Sequence, residues 1–223
     1  MADRLFDIVT FDCYGTLIDW EGGIRAAFAA EAVRSGTPLD LEAALRLYGE
    51  LERDVEREPY RPYREVLAET ARRAAARLGW PLRPERAGFL AESVRAWPPF
   101  PDTNPGLRRL AAAGYRLGIL SNVDDDLLAW TRRHFLVPFE LVITAQQVGS
   151  YKPEHGHFVA ARAAVGDARW LHAAQSYHHD ISPCAALAIP SAWINRKREK
   201  PGGDARPLRD FPTMEGLADW LAP

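Results

Sequence analysis

Cysteine is almost absent from this chain of 223 residues: there are two, Cys13 and Cys184, far apart in sequence. They form no metal-spaced pair and suggest no disulfide framework. Long apolar runs are missing too, so no segment is suited to crossing a bilayer. The opening "MADRLFDIVTF" has no apolar signal core after a basic segment. The expectation is a reduced, cytoplasmic protein with no membrane association. Nor is there an excess of one charge sign. The formal net charge of −2 creates no general pull toward nucleic acid or anionic lipid. The Arg- and Ala-rich stretch 61–96 reads as a solvated helix surface balanced by Glu, and "NRKREKPGGDARP" (195–207) as a basic surface loop. Internal repeats are lacking. What is present is 47% hydrophobic residues, enough for a core, in a length that suits one large domain or a core with a smaller companion.

Short apolar runs alternate with helical stretches. "LFDIVTF" (5–11), "YRLGILS" (115–121), "LVITA" (141–145), "WLHAAQ" (170–175) and "SAWIN" (191–195) read as buried strands. Helical segments separate the last four. Pro105 suits a first helical position with Asn104 as its cap, and Gly114 closes that helix. Strand and helix in alternation predict a Rossmann-like, doubly wound parallel sheet with helices on both faces.

The interval from Asp19 to Trp97 contains no convincing strand. Four helical segments are expected there: one from Glu21 to Ser35-Gly36, one from Asp40, one from Pro62 to Gly79, and one from Pro84 to just before Pro98. On the second, Leu41, Leu45, Tyr48, Leu51 and Val55 mark an apolar stripe. "WPPFPDTNPG" (97–106) reads as a linker. The expected division is a core of residues 1–18 and 98–223 with an all-helical insertion at 19–97.

Chemistry-bearing residues gather at the strand ends. Asp12 follows the first run and precedes Tyr14, Gly15 and Thr16. Gly15 permits a sharp turn, and the Thr16 hydroxyl can orient a carboxylate. Ser121 and Asn122 end the second strand. Lys152 follows the third, with Pro153 suited to start a helix. Ser176, Tyr177, His179 and Asp180 follow the fourth. Singly, Asp12 or Asp180 could be a helix cap, Ser121-Asn122 a turn and Lys152 a surface lysine. Together they line the carboxyl edge of a parallel sheet, where such folds place their sites.

This set, D-x-Y-G-T at 12–16, S-N at 121–122, K-P at 152–153 and the motif ending at Asp180, resembles the haloacid dehalogenase superfamily over the whole chain. The resemblance implies that the insertion is a helical cap. It implies that Asp12 is a nucleophile positioned by Thr16 and Ser121, with Lys152 neutralising charge and Asp180 completing the site. The phosphatases of that superfamily carry a second aspartate two residues after the nucleophile, where this chain has Tyr14, a weak acid for protonating a leaving alcohol. They also hold Mg²⁺ with a last motif often written D-S-x-x-D, whose first acid here is Ser176. The L-2-haloacid dehalogenases of type II are a closer likeness, since a halide leaves unprotonated and no phosphoryl charge needs a metal.

That resemblance implies hydrolysis of a small 2-haloacid through an aspartyl ester, with no cofactor. Tyr14, Asn122, Ser176, Tyr177 and His179 would line the substrate, and a cap arginine, Arg46 with Arg53 as a substitute, would receive the halide. Well-matched dehalogenases have asparagine and tryptophan where Tyr177 and His179 stand. The alternatives are a divergent Mg²⁺-dependent phosphatase and a non-enzymatic binding protein on the same fold. The expected partner is a small molecule; the sequence does not decide between monomer and homodimer.

Overall fold

The structure is a computed structural model that describes residues 4–223. Six strands form one sheet: β1 (Ile8–Phe11), β2 (Arg116–Ser121), β3 (Leu141–Thr144), β4 (Trp170–Ala174), β5 (Ser191–Ile194) and β6 (Arg209–Phe211). Their order is β3-β2-β1-β4-β5-β6, and every neighbouring pair is parallel. The fold is therefore α/β and doubly wound. From β1 the chain builds outward through β2 and β3, then returns to the other flank of β1 for β4. A crevice opens at such a reversal, at the carboxyl ends of the strands. Phe11 is level with Ile119 of β2 and Ala173 of β4, so Asp12 lies just beyond the sheet edge at that reversal.

The first five strands fall inside the apolar runs expected for them. The sixth was not foreseen. Arg209 and Asp210 are exposed, so this short edge strand carries no apolar run to announce it.

The helices are α1 (Trp20–Ser35), α2 (Leu41–Glu56), α3 (Tyr63–Leu78), α4 (Phe89–Ser93), α5 (Thr103–Ala112), α6 (Asp125–Thr131), α7 (Ala145–Val148), α8 (Gly156–Val165), α9 (Ser182–Ala186) and α10 (Met214–Leu221). Val9, Phe11, Leu117 and Ile119 share one apolar cluster with Leu107 and Leu110 of α5 and Leu217 of α10. Ile8, Leu120 and Trp170 pack with Phe158 of α8 and Cys184 of α9 in a second cluster. Alternating strand residues thus feed two layers of helix. Among the described residues, no helix is long and apolar enough to cross a membrane.

Between β1 and β2 the regular elements are all helical. Asp40 caps α2, accepting from the backbone N–H groups of Glu42 and Ala43. The fourth expected segment is broken: short 3₁₀ turns at Pro84–Arg86 and Val94–Ala96 flank α4. The paths into and out of this region pair with each other, Asp19 N donating to Pro98 O (2.9 Å) and Phe100 N to Leu17 O (3.0 Å). Helix α5 begins at Thr103, two residues before Pro105, so the linker is shorter than expected. Asn104 does not cap it. Its amide instead bridges His134 O and Leu136 N.

One contact binds the helical region to the sheet edge. Pro62 precedes α3 and offers no side-chain cap. The buried carboxylate of Asp124, just after β2, supplies it instead, accepting from Tyr63 N at 2.8 Å and Arg64 N at 3.0 Å. Tyr151 adds a second tie, its hydroxyl donating to Arg61 O at 2.8 Å.

Candidate active site

Asp12 is buried at the tip of β1. Gly15, at φ 94°, turns the chain there, which returns Thr16 to the carboxylate. The Thr16 hydroxyl donates to Asp12 Oδ2 at 2.8 Å and accepts from Gln175 N at 2.8 Å. On the other oxygen, Lys152 Nζ donates to Asp12 Oδ1 at 2.8 Å. The same ammonium donates to Asp180 Oδ1 at 2.7 Å and to Leu120 O at 3.0 Å. Three N–H bonds meet three acceptors, which is what lets a lysine with 1% exposure stay charged.

Asn122 builds the lysine's position. Its side chain accepts from Lys152 N at 2.7 Å and donates to Lys152 O at 3.0 Å, clamping the loop after β3 to the end of β2. The loop does not begin a helix at Pro153; α8 starts at Gly156. Ser121 is fully buried, its hydroxyl without a protein partner, while its carbonyl accepts from His157 Nε2 at 3.0 Å. Burial holds the His157 ring down at about 4, and Lys152 adds to that, so the ring is a neutral donor at neutral pH.

The electrostatics are those of two carboxylates sharing one cation. Burial works against charge on Lys152, but Asp12 and Asp180 outweigh it and raise its pKa above that of an ordinary lysine. For Asp180 burial is likewise outweighed, by Lys152 and His172, so its carboxyl lies well below the usual aspartate range. Asp12 goes the other way: burial lifts it, the Asp180 charge adds to the lift, and Lys152 and Thr16 pull back only in part. Asp180 therefore holds the more secure negative charge of the two.

A cavity of about 400 Å³ opens beside Lys152, between α2 and the core loops. Its lining includes Arg53, Glu56, Tyr151, Lys152, His178 and His179. Arg46, the cap arginine first expected at the substrate, is exposed and absent from that lining, and Arg53 stands there instead. Two helical turns separate the two arginines, so they share the exposed face of α2 opposite Ala44, Tyr48, Leu51 and Val55, and Arg53 meets the cavity because it lies further along the helix.

Tyr14 is half-buried, its ring edge-on to Trp97 and its hydroxyl 2.8 Å from Thr131 Oγ1. Tyr177, also expected at the substrate, packs away from the cavity. Its ring meets Trp193 and its hydroxyl donates to Ala205 O at 2.8 Å, fastening the loop after β5. The backbone makes a wide turn in which Ile181 N donates five residues back to Ser176 O, with Tyr177 buried in a cluster with Ile181 and Trp193 and Asp180 buried against Lys152. Ser176 caps this turn, accepting from His179 N at 3.0 Å. Burial, together with Lys152, lowers the His179 ring to about 4, against the pull of Asp180.

Sequence reasoning passed over several residues. Gln175 fixes Thr16 through its backbone N–H, which no side-chain pattern reports. His172 lies inside a strand read as an apolar run, and donates to Asp180 from below. Glu52 and Glu56 lie on α2, where only the apolar stripe was read. The hydroxyls of Tyr48 and Tyr63 both donate to Glu52 Oε1. Burial raises the pKa of Glu52 despite those bonds, and raises that of Glu56 well above the ordinary value with the Glu52 charge adding to it. The spacing of Tyr48, Glu52 and Glu56 at i, i+4 and i+8 was the available signal.

Of the carboxylate oxygens of Asp12 and Asp180, only Asp180 Oδ2 is without a protein partner, a sparse donor set for Mg²⁺. Oδ1 of both Asp12 and Asp180 is taken by the Lys152 ammonium, Asp12 Oδ2 is taken by Thr16, and Ser176 is occupied with His179. Among the described residues, no three His, Cys, Asp or Glu side chains gather as a metal site.

The chain resembles known proteins along nearly its whole length. Over 96% of its length the chain is 26% identical to an (S)-2-haloacid dehalogenase of Pseudomonas putida, covering 95% of that protein. It is 27% identical to an (S)-2-haloacid dehalogenase of Pseudomonas fluorescens, covering 95% of this chain and 94% of that one. The crystal structure of the L-2-haloacid dehalogenase RSc1362 superposes with a TM-score of 0.84 at 25% identity, covering 98% and 99% of the two chains. The family model of haloacid dehalogenase-like hydrolases matches residues 6–197, and the chain belongs to that family of hydrolases.

Proposed function

We propose that this hydrolase converts a small 2-haloacid to the 2-hydroxy acid through an ester on Asp12, without a metal ion, as a cytoplasmic enzyme. The observation that carries the reading is the Lys152 ammonium bound to both Asp12 and Asp180, which occupies Oδ1 of each carboxylate. Tyr14 supports it. Burial raises the Tyr14 phenol well above its ordinary value, so it is no acid for a leaving alcohol.

In the first half-reaction an oxygen of Asp12 attacks C2 in line. A C–O bond forms, the C–halogen bond breaks, and the halide leaves with the bonding pair. Ser121 Oγ, buried and unpartnered, and backbone N–H groups near Tyr14 and Asn122 receive the substrate carboxylate. Arg53, on the cap side of the cavity, is the cation placed to meet the halide.

In the second half-reaction water attacks the Asp12 carboxyl carbon while Asp180 takes a proton from it. The acyl–oxygen bond breaks, and the departing alkoxide recovers a proton to become the 2-hydroxy acid. Asp12 returns as carboxylate, and one proton goes to solvent. The helical region, tied down by Asp124 and Tyr151, serves as the cap that keeps bulk water out.

Halide and phosphate release, followed on 2-chloropropionate, haloacetates and generic phosphate esters with and without EDTA, tests the reading. Halide release that EDTA leaves intact is expected. Phosphate release that requires Mg²⁺ contradicts it.

A further inference from the structure

Below Asp180 a line of polar groups runs through an otherwise apolar layer. Thr10 and His172 are paired across β1 and β4 and share a face of the sheet with Trp170. Ile8, Leu120 and Phe158 surround them, and the Phe158 ring lies edge-on to His172 at 5.5 Å between centroids. All of these groups are buried. Polar atoms in such a place are costly unless each finds a partner.

Here they do, and the partners fix a direction. Trp170 Nε1 can only donate, and it lies 2.7 Å from Thr10 Oγ1. The Thr10 hydroxyl therefore accepts that bond. Its own proton has one neighbour to go to, His172 Nδ1 at 2.8 Å. Nδ1 must then be bare, and the ring proton sits on Nε2, which donates to Asp180 Oδ1 at 3.0 Å. The opposite arrangement, with the proton on Nδ1, strands the Thr10 hydroxyl hydrogen and sets a bare Nε2 against a carboxylate oxygen.

The end of the line matters for chemistry. Asp180 Oδ1 is held twice, by His172 and by Lys152, whereas Oδ2 is buried with no protein partner. A carboxylate gripped by one oxygen presents the other in a fixed direction.

We propose that His172, oriented by the Trp170–Thr10 pair, is a positioning residue for the second half-reaction: it sets Asp180 so that Oδ2 takes the proton from the water that hydrolyses the Asp12 ester. The inference rests on the aspartyl-ester reading of the site. The first half-reaction, in which Asp12 displaces halide, makes no use of Asp180 Oδ2, so the two halves respond differently when the relay is cut.

The test compares His172→Phe, which keeps the ring and loses the donor, with His172→Gln, which restores an N–H toward Asp180. With L-2-chloropropionate, rapid-quench halide release reports the first half, and steady-state turnover with intact mass of the protein reports the second. His172→Phe is expected to keep the first-turnover rate within about threefold, to lower kcat on the order of 10²-fold, and to accumulate the ester on Asp12. His172→Gln is expected to recover most of kcat. Equal loss in both phases, no accumulated ester, or no recovery with Gln overturns the proposal.

Should His172→Phe fail to fold, Thr10→Val cuts the same line one step earlier. It is expected to give the same split between phases with a smaller loss, and equal loss in both overturns the proposal. Nitrogen-15 NMR of the wild-type imidazoles provides a readout independent of activity. A buried ring protonated at Nε2 and bare at Nδ1 is expected, and a proton on Nδ1 overturns the assignment. Absence of halide release from the wild type strikes the ester reading, while the NMR result still decides the relay.

Discussion

At Lys152 a single cation satisfies two buried carboxylates, and removing it leaves both uncompensated. Lys152→Met is expected to destabilise the fold by about 3–5 kcal/mol, read as a shift in the denaturation midpoint, in addition to abolishing activity. Asp12 gives a pH prediction with a definite sign. The nucleophile is the carboxylate, and burial raises its pKa, so protonation sets in at a higher pH than for an ordinary aspartate. The rate should therefore fall on acidification with its limb above pH ~4. A limb at or below that value would mean that Lys152 and Thr16 outweigh burial. Asp12 and Ser121 were legible as polar groups ending apolar runs, and Lys152 and Asp180 as polar groups in the segments that follow β3 and β4. Their partners were not. A histidine inside a strand and a backbone N–H at Gln175 leave no such mark.

Helix α2 shows why an element can be read correctly while one of its faces is missed. Its start at Asp40 and the buried positions Tyr48, Leu51 and Val55 follow from capping chemistry and a helical stripe. Glu52 and Glu56 fall off that stripe and drew no reading, because a sequence does not say that a sheet edge lies opposite. Burial holds both in favour of the neutral form. A group whose pKa is raised on folding supports the fold fully below its unfolded pKa, and that support is lost as pH rises through the folded value. Glu56→Gln should therefore raise stability at pH 8, on the order of 1 kcal/mol or ~2–4 °C in Tm, and change little at pH 4. A gain at both pH values would point to packing instead. Glycine makes a second demand in α1. A Cβ on Gly23 would lie 2.3 Å from Trp97 Cγ, and Trp97 is the ring against Tyr14. Gly23→Ala should lower kcat/KM as well as Tm, since the displaced indole moves the Tyr14 ring two residues from Asp12.

At the scale of the whole molecule, the parallel sheet and the run of helices between its first two strands were legible from alternation and its interruption. The way the two parts meet was not. Asp124 sits in "NVDDD", where any of three aspartates could cap a local helix, yet its carboxylate closes α3 across the crevice. Asp124→Ala should cost about 1–2 kcal/mol and raise KM more than it lowers kcat, because it loosens the tie between the helical region and the sheet edge and not the chemistry. An unchanged KM would show that this contact does not shape substrate binding. The edge strand β6, placed by pairing with β5, and Tyr177, held by Ala205 O in the loop after β5, both depend on contacts invisible to local pattern. The central claim is that Asp12 forms a bond to carbon. In a single turnover in ¹⁸O-water with enzyme in excess, the account predicts an unlabelled 2-hydroxy acid and ¹⁸O in the peptide that carries Asp12. Label in the first product with none in that peptide would mean that water attacks the substrate directly, and would contradict the account.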